Sequence, residues 1–184
     1  MKATLHLGRI GDVAVHLHAS WFLVLVLMGW GLAAGVFPAE APGWPPGVYL
    51  ALATLTALVY LGSVLLHELG HAWVAAREGV PVQDVTLYFF GGVARLGPLP
   101  PSPGVRIRLA SAGPLVNLLL AGPLGLAGLA GRSQPFIAEP AGWLVRTNLL
   151  LALLNLIPDL PLDGAGCSTL WYSTLAALLA AQIR

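Results

Sequence analysis

Four long apolar segments constrain this chain more than any other feature of its sequence. A helix that crosses a bilayer needs about 20 consecutive, mainly apolar residues, and four stretches approach or exceed this length, at 21–37, 48–76, 109–129 and 141–157. Only 9% of the 184 residues are charged, whereas soluble domains carry about 25%. The sequence therefore predicts an all-α membrane protein, a polytopic bundle of four to five transmembrane helices in a lipid bilayer.

The segments between these runs predict short β-strands. Residues 1–18 alternate apolar and polar side chains in places, and residues 80–96 are rich in β-branched and aromatic residues around a Gly-Gly pair. We expect strands at the N-terminus and between the second and third helices. A further apolar run at 169–183 is short for a crossing. The whole chain, 1–184, is expected to form a single membrane-embedded domain.

Positive charges predict how the bundle is oriented, because short cytoplasmic loops carry an excess of Lys and Arg. Lys2 and Arg9 precede the first helix, and four arginines follow the second, whereas the loop between these helices has none. The N-terminus and the C-terminal ends of the second and fourth helices are therefore predicted to face the cytoplasm, with Arg132 opposing this count. The alternative, a signal peptide cleaved near 39–41, is disfavoured because its charges lie well before the apolar run.

Charge and cysteine content exclude two classes of function. The formal net charge is +1 and no basic stripe is present, so no nucleic-acid partner is predicted. Cys167 is the single cysteine, which permits neither an internal disulfide nor a thiol-rich metal site. His16 and His18 are interpreted as polar contacts near the first helix rather than as metal ligands, and His6 is given no role.

The motif that indicates chemistry is "HELGH", residues 67–71, inside the second apolar run. Histidines four apart lie on one face of a helix, and in the HExxH pattern they bind zinc while the glutamate accepts a proton from metal-activated water. An ionisable residue in an apolar helix is costly, so its presence there indicates function. His67 and His71 are therefore predicted to hold one Zn²⁺ per chain, with Glu68 as the general base.

A catalytic zinc site usually has a third protein ligand, and three aspartates are candidates. The predicted topology brings Asp84, Asp159 and Asp163 to the side of the membrane that holds the motif. The last two lie in "NLIPDLPLDGAG", 155–166, where prolines break the fourth helix, and a broken backbone at membrane depth is tolerated where it lines a cavity. The residue pattern does not choose between Asp159 and Asp163, and a solvated turn with capping aspartates is the alternative.

Several motifs together resemble those of the site-2 proteases, zinc metalloproteases that cut substrates within the membrane. "HELGH" resembles the zinc motif of that family, "FFGGVARL" its GGV segment, "SAGPLVN" its AGPxxN helix and "NLIPDLPLDG" its NxxPxxxLDG motif, in the family's order. The N-terminal "LGRIGDVAVHLHASW" is similar to the branch that often carries C-terminal CBS domains, although none is expected within these 184 residues.

This resemblance implies a role for each matched residue. It implies that Asp163 is the third zinc ligand beside His67 and His71, and that Glu68 is the catalytic base. Four residues match family positions near the active site and are implied to hold the substrate or polarise its scissile carbonyl: Asn155, Asn117, Gly91 and Gly92.

The activity that the resemblance implies is the hydrolysis of peptide bonds in membrane-spanning proteins during regulated intramembrane proteolysis. Anti-sigma factors and similar regulators are substrates of this kind. The predicted location is the cell membrane, with the active site on the cytoplasmic side that the positive charges indicate, and the Ala, Leu, Gly and Pro bias of the sequence suggests a prokaryote. The β-rich segment 80–96 is further predicted to pair with an extended substrate by strand addition.

After Gly164 the match to the family ends. The family usually continues with Gly-Arg and an apolar helix, whereas this chain continues "AGCSTLWYSTLAALLAAQIR". Deleting one base from codons for Asp-Gly-Gly-Arg-Val-Leu yields the sequence found at 163–168, so a shifted or a shortened reading frame is the hypothesis for this tail, with a native tail as the alternative. Two alternatives to a protease stay open: a catalytically impaired or truncated metal-binding membrane protein of the same fold, and a metal transporter, which would not need Glu68.

Overall fold

The computed structural model describes residues 4–89, 91–98 and 102–156. This part of the chain contains four helices that are long and apolar enough to cross a membrane: α1 (Ser20–Glu40), α2 (Pro46–Arg77), α3 (Pro103–Ala130) and α4 (Pro135–Leu156). It also contains four strands: β1 (Thr4–Ile10), β2 (Val13–His18), β3 (Val82–Tyr88) and β4 (Gly91–Leu96). The predicted fold class, a helical membrane bundle with short strands at these two places, is confirmed.

The helix boundaries differ from the predicted ones mainly at the N-terminal ends. Helices α3 and α4 begin at Pro103 and Pro135, earlier than the predicted 109 and 141, because proline is compatible with the first turn and because a helix continues beyond the apolar span. Helix α1 continues through a π-helical stretch, Leu32–Val36, to Glu40, so part of the predicted loop 37–47 is helical. The apolar run at 169–183 lies outside the described residues.

A glycine-dependent cap ends α2 and directs the chain into β3. Gly79 has a φ of +73°, and its N–H donates to Ala76 O at 3.3 Å while Val80 N–H donates to Ala75 O at 2.9 Å. These two bonds form a Schellman motif, which satisfies carbonyls that the helix leaves unpaired. Val80 and Ala75 also pack with Leu109 of α3, so the cap joins α2, β3 and α3 at one end of the bundle.

The strands form one mixed sheet at this same end of the bundle, in the order β1-β2-β3-β4. Strand β2 pairs in parallel with β3, although α1 and α2 separate them in sequence, and the two outer pairs are antiparallel. One face of the sheet is apolar and buried, and its residues Leu17 and Leu87 pack with Val64 of α2. The sheet is therefore attached to α2 one turn before the HELGH motif.

Small and polar residues hold α3 and α4 against α2. A Cβ at Gly70 would lie 2.8 Å from Val116 Cγ2 of α3, so α3 approaches α2 at a distance that only glycine allows. In α4, Asn148 Nδ2 donates to Leu144 O at 2.8 Å and lies 3.5 Å from Ser63 Oγ of α2. Close approach of small residues and hydrogen bonds between helices are typical of packing in membranes.

Candidate metal centre

Two imidazoles project from α2 into the interior of the bundle. His67 and His71 are one helical turn apart, and each is less than a tenth exposed. Their Nε2 atoms lie 3.3 Å from each other, and the ring planes are inclined by 75°. Two nitrogens bound at 2.0–2.1 Å to a tetrahedral zinc ion lie about 3.3–3.4 Å apart. The spacing of the pair therefore fits two ligands of one zinc ion.

The hydrogen bond on the other side of His71 determines which nitrogen can bind a metal. His71 Nδ1 lies 2.7 Å from the carbonyl oxygen of Leu109 in α3. A carbonyl can only accept, so in the neutral ring the proton is on Nδ1 and the lone pair is on Nε2. Metal-binding histidines typically donate their second N–H in this way, which fixes the ring orientation.

Gly113 of α3 leaves open the space in front of the two Nε2 atoms, because it has no side chain. A Cβ at this position would lie 2.3 Å from His71 Nε2 and 2.5 Å from His67 Nε2. Any side chain here would occupy the volume that a bound ion needs. Gly113 belongs to the "SAGPLVN" segment, which resembles the AGPxxN helix of the site-2 proteases. No local pattern indicated that this glycine adjoins the histidines.

Glu68 lies against the backbone of β4. A Cβ at Gly92 would lie 2.2 Å from Glu68 Cγ and 2.9 Å from Glu68 Oε1, so the carboxylate side chain passes directly over this glycine. Glu68 is 7% exposed. The sheet therefore positions the predicted general base, and Gly92 contributes the room for it.

These residues open onto a cavity of about 560 Å³ between the helices and the sheet. Asn155, near the C-terminal end of α4, is 5% exposed and lines the same cavity. The sequence-derived candidates that line it are His67, Glu68, His71, Gly91, Gly92 and Asn155. The aromatic side chains of its wall are Trp21, Tyr60, Tyr88 and Phe89. Tyr88 and Phe89 belong to the segment 80–96 that was predicted to pair with substrate, whereas Trp21 and Tyr60 were not predicted to lie at the site.

Asn117 has a different position from the other candidates. It lies one helical turn after Gly113, is fully buried and does not line the cavity. Neither atom of its side-chain amide has a hydrogen-bond partner among the described residues. Its implied contact with a substrate stays a prediction.

Of the three aspartate candidates for a third ligand, Asp84 lies away from the histidine pair. It is on β3, where Arg95 Nε donates to its Oδ1 at 3.0 Å and Thr86 Oγ1 donates at 3.1 Å. These hydrogen bonds, that of Arg95 above all, hold the pKa of Asp84 below its usual value despite burial. No group of three His, Cys, Asp or Glu side chains in the described ranges is placed to hold a metal. Asp159 and Asp163 lie outside those ranges.

Comparison with known proteins identifies the family. A family model described as peptidase family M50 matches residues 55–136, which include the histidine pair, Glu68 and Gly113. Rip3 of Mycobacterium tuberculosis, by name a zinc metalloprotease, is 42% identical over 167 residues, which cover 89% of this chain. The chain contains a domain of peptidase family M50, the family of the site-2 proteases.

Further M50 relatives agree in sequence and in fold. The protein sll0528 of Synechocystis, also named a zinc metalloprotease, is 37% identical over 181 residues, 95% of this chain. The solved site-2 protease of Methanocaldococcus jannaschii matches 93% of this chain and 72% of its own, with a TM-score of 0.61 and 27% identity. The chain spans 42% of the length of Rip3 and 46% of that of sll0528, less than half of each.

Proposed function

We propose that this M50 chain is an intramembrane zinc protease that hydrolyses peptide bonds of membrane-spanning proteins. The observation that carries the proposal is the pair of Nε2 atoms, 3.3 Å apart, beside a buried carboxylate in an apolar helix. The names of the relatives as zinc metalloproteases support zinc as the metal. Membrane-anchored regulators such as anti-sigma factors remain the predicted kind of substrate.

His67 and His71 would hold the ion through Nε2, and we propose Asp163, which lies outside the described residues, as the third ligand. When bound, zinc polarises a carbonyl and lowers the pKa of water to about 7. Glu68 then takes the proton of the attacking water and delivers it to the leaving amine. The wall of the cavity is largely apolar, and electrostatic interactions are stronger in such surroundings than in bulk water.

We assign substrate positioning to Asn155 and to the glycines of β4. Asn155 lines the cavity from α4, and its amide can donate a hydrogen bond to the developing oxyanion, a contribution that is typically large in acyl transfer. Gly91 and Gly92 lie in β4, beside Glu68. Because they lack side chains, they allow a substrate backbone to come close to the base.

Strand β4 is the edge that we propose for substrate pairing. It is the outer strand of the sheet within the described residues, and it lines the cavity from Gly91 to Ala94. A helical substrate hides its carbonyls in hydrogen bonds, whereas an extended segment beside β4 would expose them next to Glu68. Main-chain pairing with a sheet edge is a common mode of peptide recognition.

The charges of the chain support an active site near the cytoplasmic surface. The arginines at the sheet end of the bundle are Arg9, Arg77, Arg95, Arg106 and Arg108, whereas the α3–α4 loop at the other end carries Arg132. Trp73 is 58% exposed, with the guanidinium of Arg77 4.3 Å from its ring centroid, as is typical of the membrane interface. His67 lies six residues deeper, about 9 Å along the helix.

Replacing Glu68 with glutamine tests the proposed chemistry. We expect cleavage of a membrane-spanning peptide to fall by about 10²–10⁴-fold, the usual contribution of general acid–base catalysis. Zinc content should stay the same, because the imidazoles are unaltered. Glu40→Gln, which removes an exposed carboxylate at the end of α1, is the matched control and should cleave normally. Equal cleavage by the wild-type and Glu68→Gln proteins would exclude this mechanism, and zinc without cleavage in either would favour a metal-binding protein.

Proline substitutions in β4 test the pairing with substrate. Amides of adjacent strand residues point alternately to the two sides, so one of Val93→Pro and Ala94→Pro removes an N–H from the open edge while the other removes one that faces β3. We expect the variant that loses the open-edge N–H to unfold near the wild-type temperature and to lose most cleavage. The variant that loses the N–H facing β3 should unfold at a lower temperature. Thermal unfolding and peptide cleavage measure the two effects, with Val93→Thr as control. Strand addition is wrong if the stable proline variant cleaves like the wild type.

A further inference from the structure

A second pair of imidazoles lies on the sheet, away from His67 and His71 of α2. His6 of β1 and His16 of β2 are register partners in the antiparallel pair. Their ring centroids are 5.0 Å apart and the ring planes are inclined by 47°. His6 is exposed and His16 is half-buried, so the pair is accessible from solvent.

Strand alternation places this pair on the outer face of the sheet. Val15 and Leu17, the neighbours of His16 along β2, are 2% and 5% exposed and belong to the buried face. Successive side chains point to opposite faces, so His16 points away from the helices. The pair therefore belongs neither to the cavity nor to the metal centre of α2.

The separation of the two rings matches that of a metal-binding pair. The centroids of His67 and His71, whose nitrogens have the spacing for zinc, are 4.9 Å apart, within 0.1 Å of the value for His6 and His16. Two imidazoles that bind one tetrahedral ion through one nitrogen each have centroids about 5 Å apart.

Charged groups of both signs lie near the pair. Asp84 of β3 pairs in register with Ala14, two residues before His16, and therefore projects from the same face. Hydrogen bonds from Arg95 lower the pKa of Asp84 most, and a positive charge at His16 lowers it further. Asp84 is thus an anion near His16, but Arg95 pairs with it and Arg9 lies opposite Ala14 in β1. The case for a bound cation therefore rests on the two imidazoles.

We propose that His6 and His16 form a second metal site, which binds an exchangeable divalent transition-metal ion such as Zn²⁺, Ni²⁺ or Cu²⁺. Imidazole nitrogen suits these ions. No third His, Cys, Asp or Glu completes a group within the residues described, so water fills the other positions and the ion exchanges with solvent, unlike a closed structural site. Within the described residues β1 pairs only with β2, and the ion would add a link between the side chains of these two strands.

Calorimetric titration of the full-length protein in detergent with Zn²⁺ tests this site. We expect two classes of binding in the wild type. Loss of an outer-shell partner typically weakens metal binding by roughly 10–100-fold. His6→Ala and His16→Ala each remove a direct ligand, so each should weaken the lower-affinity class by more than this. His67→Ala should leave that class unchanged. His18→Ala, which removes another imidazole of β2, is the control. If neither His6→Ala nor His16→Ala weakens any class of Zn²⁺ binding, the proposal is wrong, whatever the number of classes in the wild type.

Amide hydrogen exchange gives a second measurement that does not require affinities. Zn²⁺ should slow exchange in β1 of the wild-type chain and should have no effect on β1 of His6→Ala. His6 is exposed, so its replacement is expected to cost little stability. Equal slowing in both proteins would contradict the site. Neither experiment measures cleavage, so the second metal site can be tested whether or not the chain is a protease.

Discussion

Replacing Gly113 with alanine is expected to abolish metal binding and cleavage together while leaving the fold intact. The new Cβ would lie 2.3 Å and 2.5 Å from the two Nε2 atoms that face the ion. Helix α3 cannot retreat freely, because it also packs closely against α4, where a Cβ at Gly128 would lie 3.3 Å from Ala141 Cβ. We expect zinc affinity to fall by at least about 100-fold, more than the loss of an outer-shell partner causes. Metal analysis of the purified protein and peptide cleavage measure the two effects.

Gly122→Ala is the matched control for this substitution. Gly122 lies in the same helix, and a Cβ there would meet nothing within 4 Å. Alanine is more favourable than glycine in a helix interior by about 0.5–1 kcal/mol, so the control should be as stable as the wild type or more so and should keep its zinc. A Gly113→Ala protein that retains full zinc would show that the ion does not lie in front of the two Nε2 atoms.

Replacing Gly92 with alanine is expected to remove cleavage but not zinc. The added Cβ would lie 2.2 Å from Cγ and 2.7 Å from Cδ of Glu68, which forces the carboxylate away from its position. Because general-base catalysis contributes about 10²–10⁴-fold, we expect a loss of that order, similar to that of Glu68→Gln. The imidazoles of α2 are untouched, so metal content should equal that of the wild type.

The control for Gly92→Ala is Gln83→Ala on the neighbouring strand β3. Gln83 is exposed and does not line the cavity, so its truncation should change cleavage little. If Gly92→Ala cleaves normally, Glu68 does not need the position that it has in this structure. If the variant loses zinc as well as cleavage, the substitution acts on the fold rather than on the base. The two glycine variants should thus separate the metal site from the catalytic carboxylate.

Much of the bundle and half of the site were predictable because the relevant signals are local. The i, i+4 spacing of His67 and His71 places both rings on one helix face wherever that helix packs. Long apolar runs predicted all four described helices, and the β-rich segments predicted strands at both ends of the α1–α2 unit. Helix starts were less predictable, because Pro103 and Pro135 begin helices that extend past the apolar span.

Other features depend on contacts between residues that are distant in sequence. The parallel pairing of β2 with β3 joins segments separated by two membrane helices, and alternation within one strand cannot reveal its partner. Asp84 had the topology of a metal ligand, yet Arg95 from the neighbouring strand holds its carboxylate. The aromatic wall of the cavity, Trp21 included, comes from elements that no local pattern groups together.

The sequence by itself determined that this chain is a helical membrane protein with a zinc-type motif on its second helix, because hydropathy and helical periodicity act over neighbouring residues. Only the tertiary structure decided how that motif is completed. The Leu109 carbonyl orients one imidazole, Gly113 leaves room before both, and Gly92 makes room for the carboxylate. These three contributions are backbone atoms or missing side chains brought close by packing. Their effect depends on distances between helices and strands that are far apart in sequence, and residue types and their local spacing do not reveal those distances.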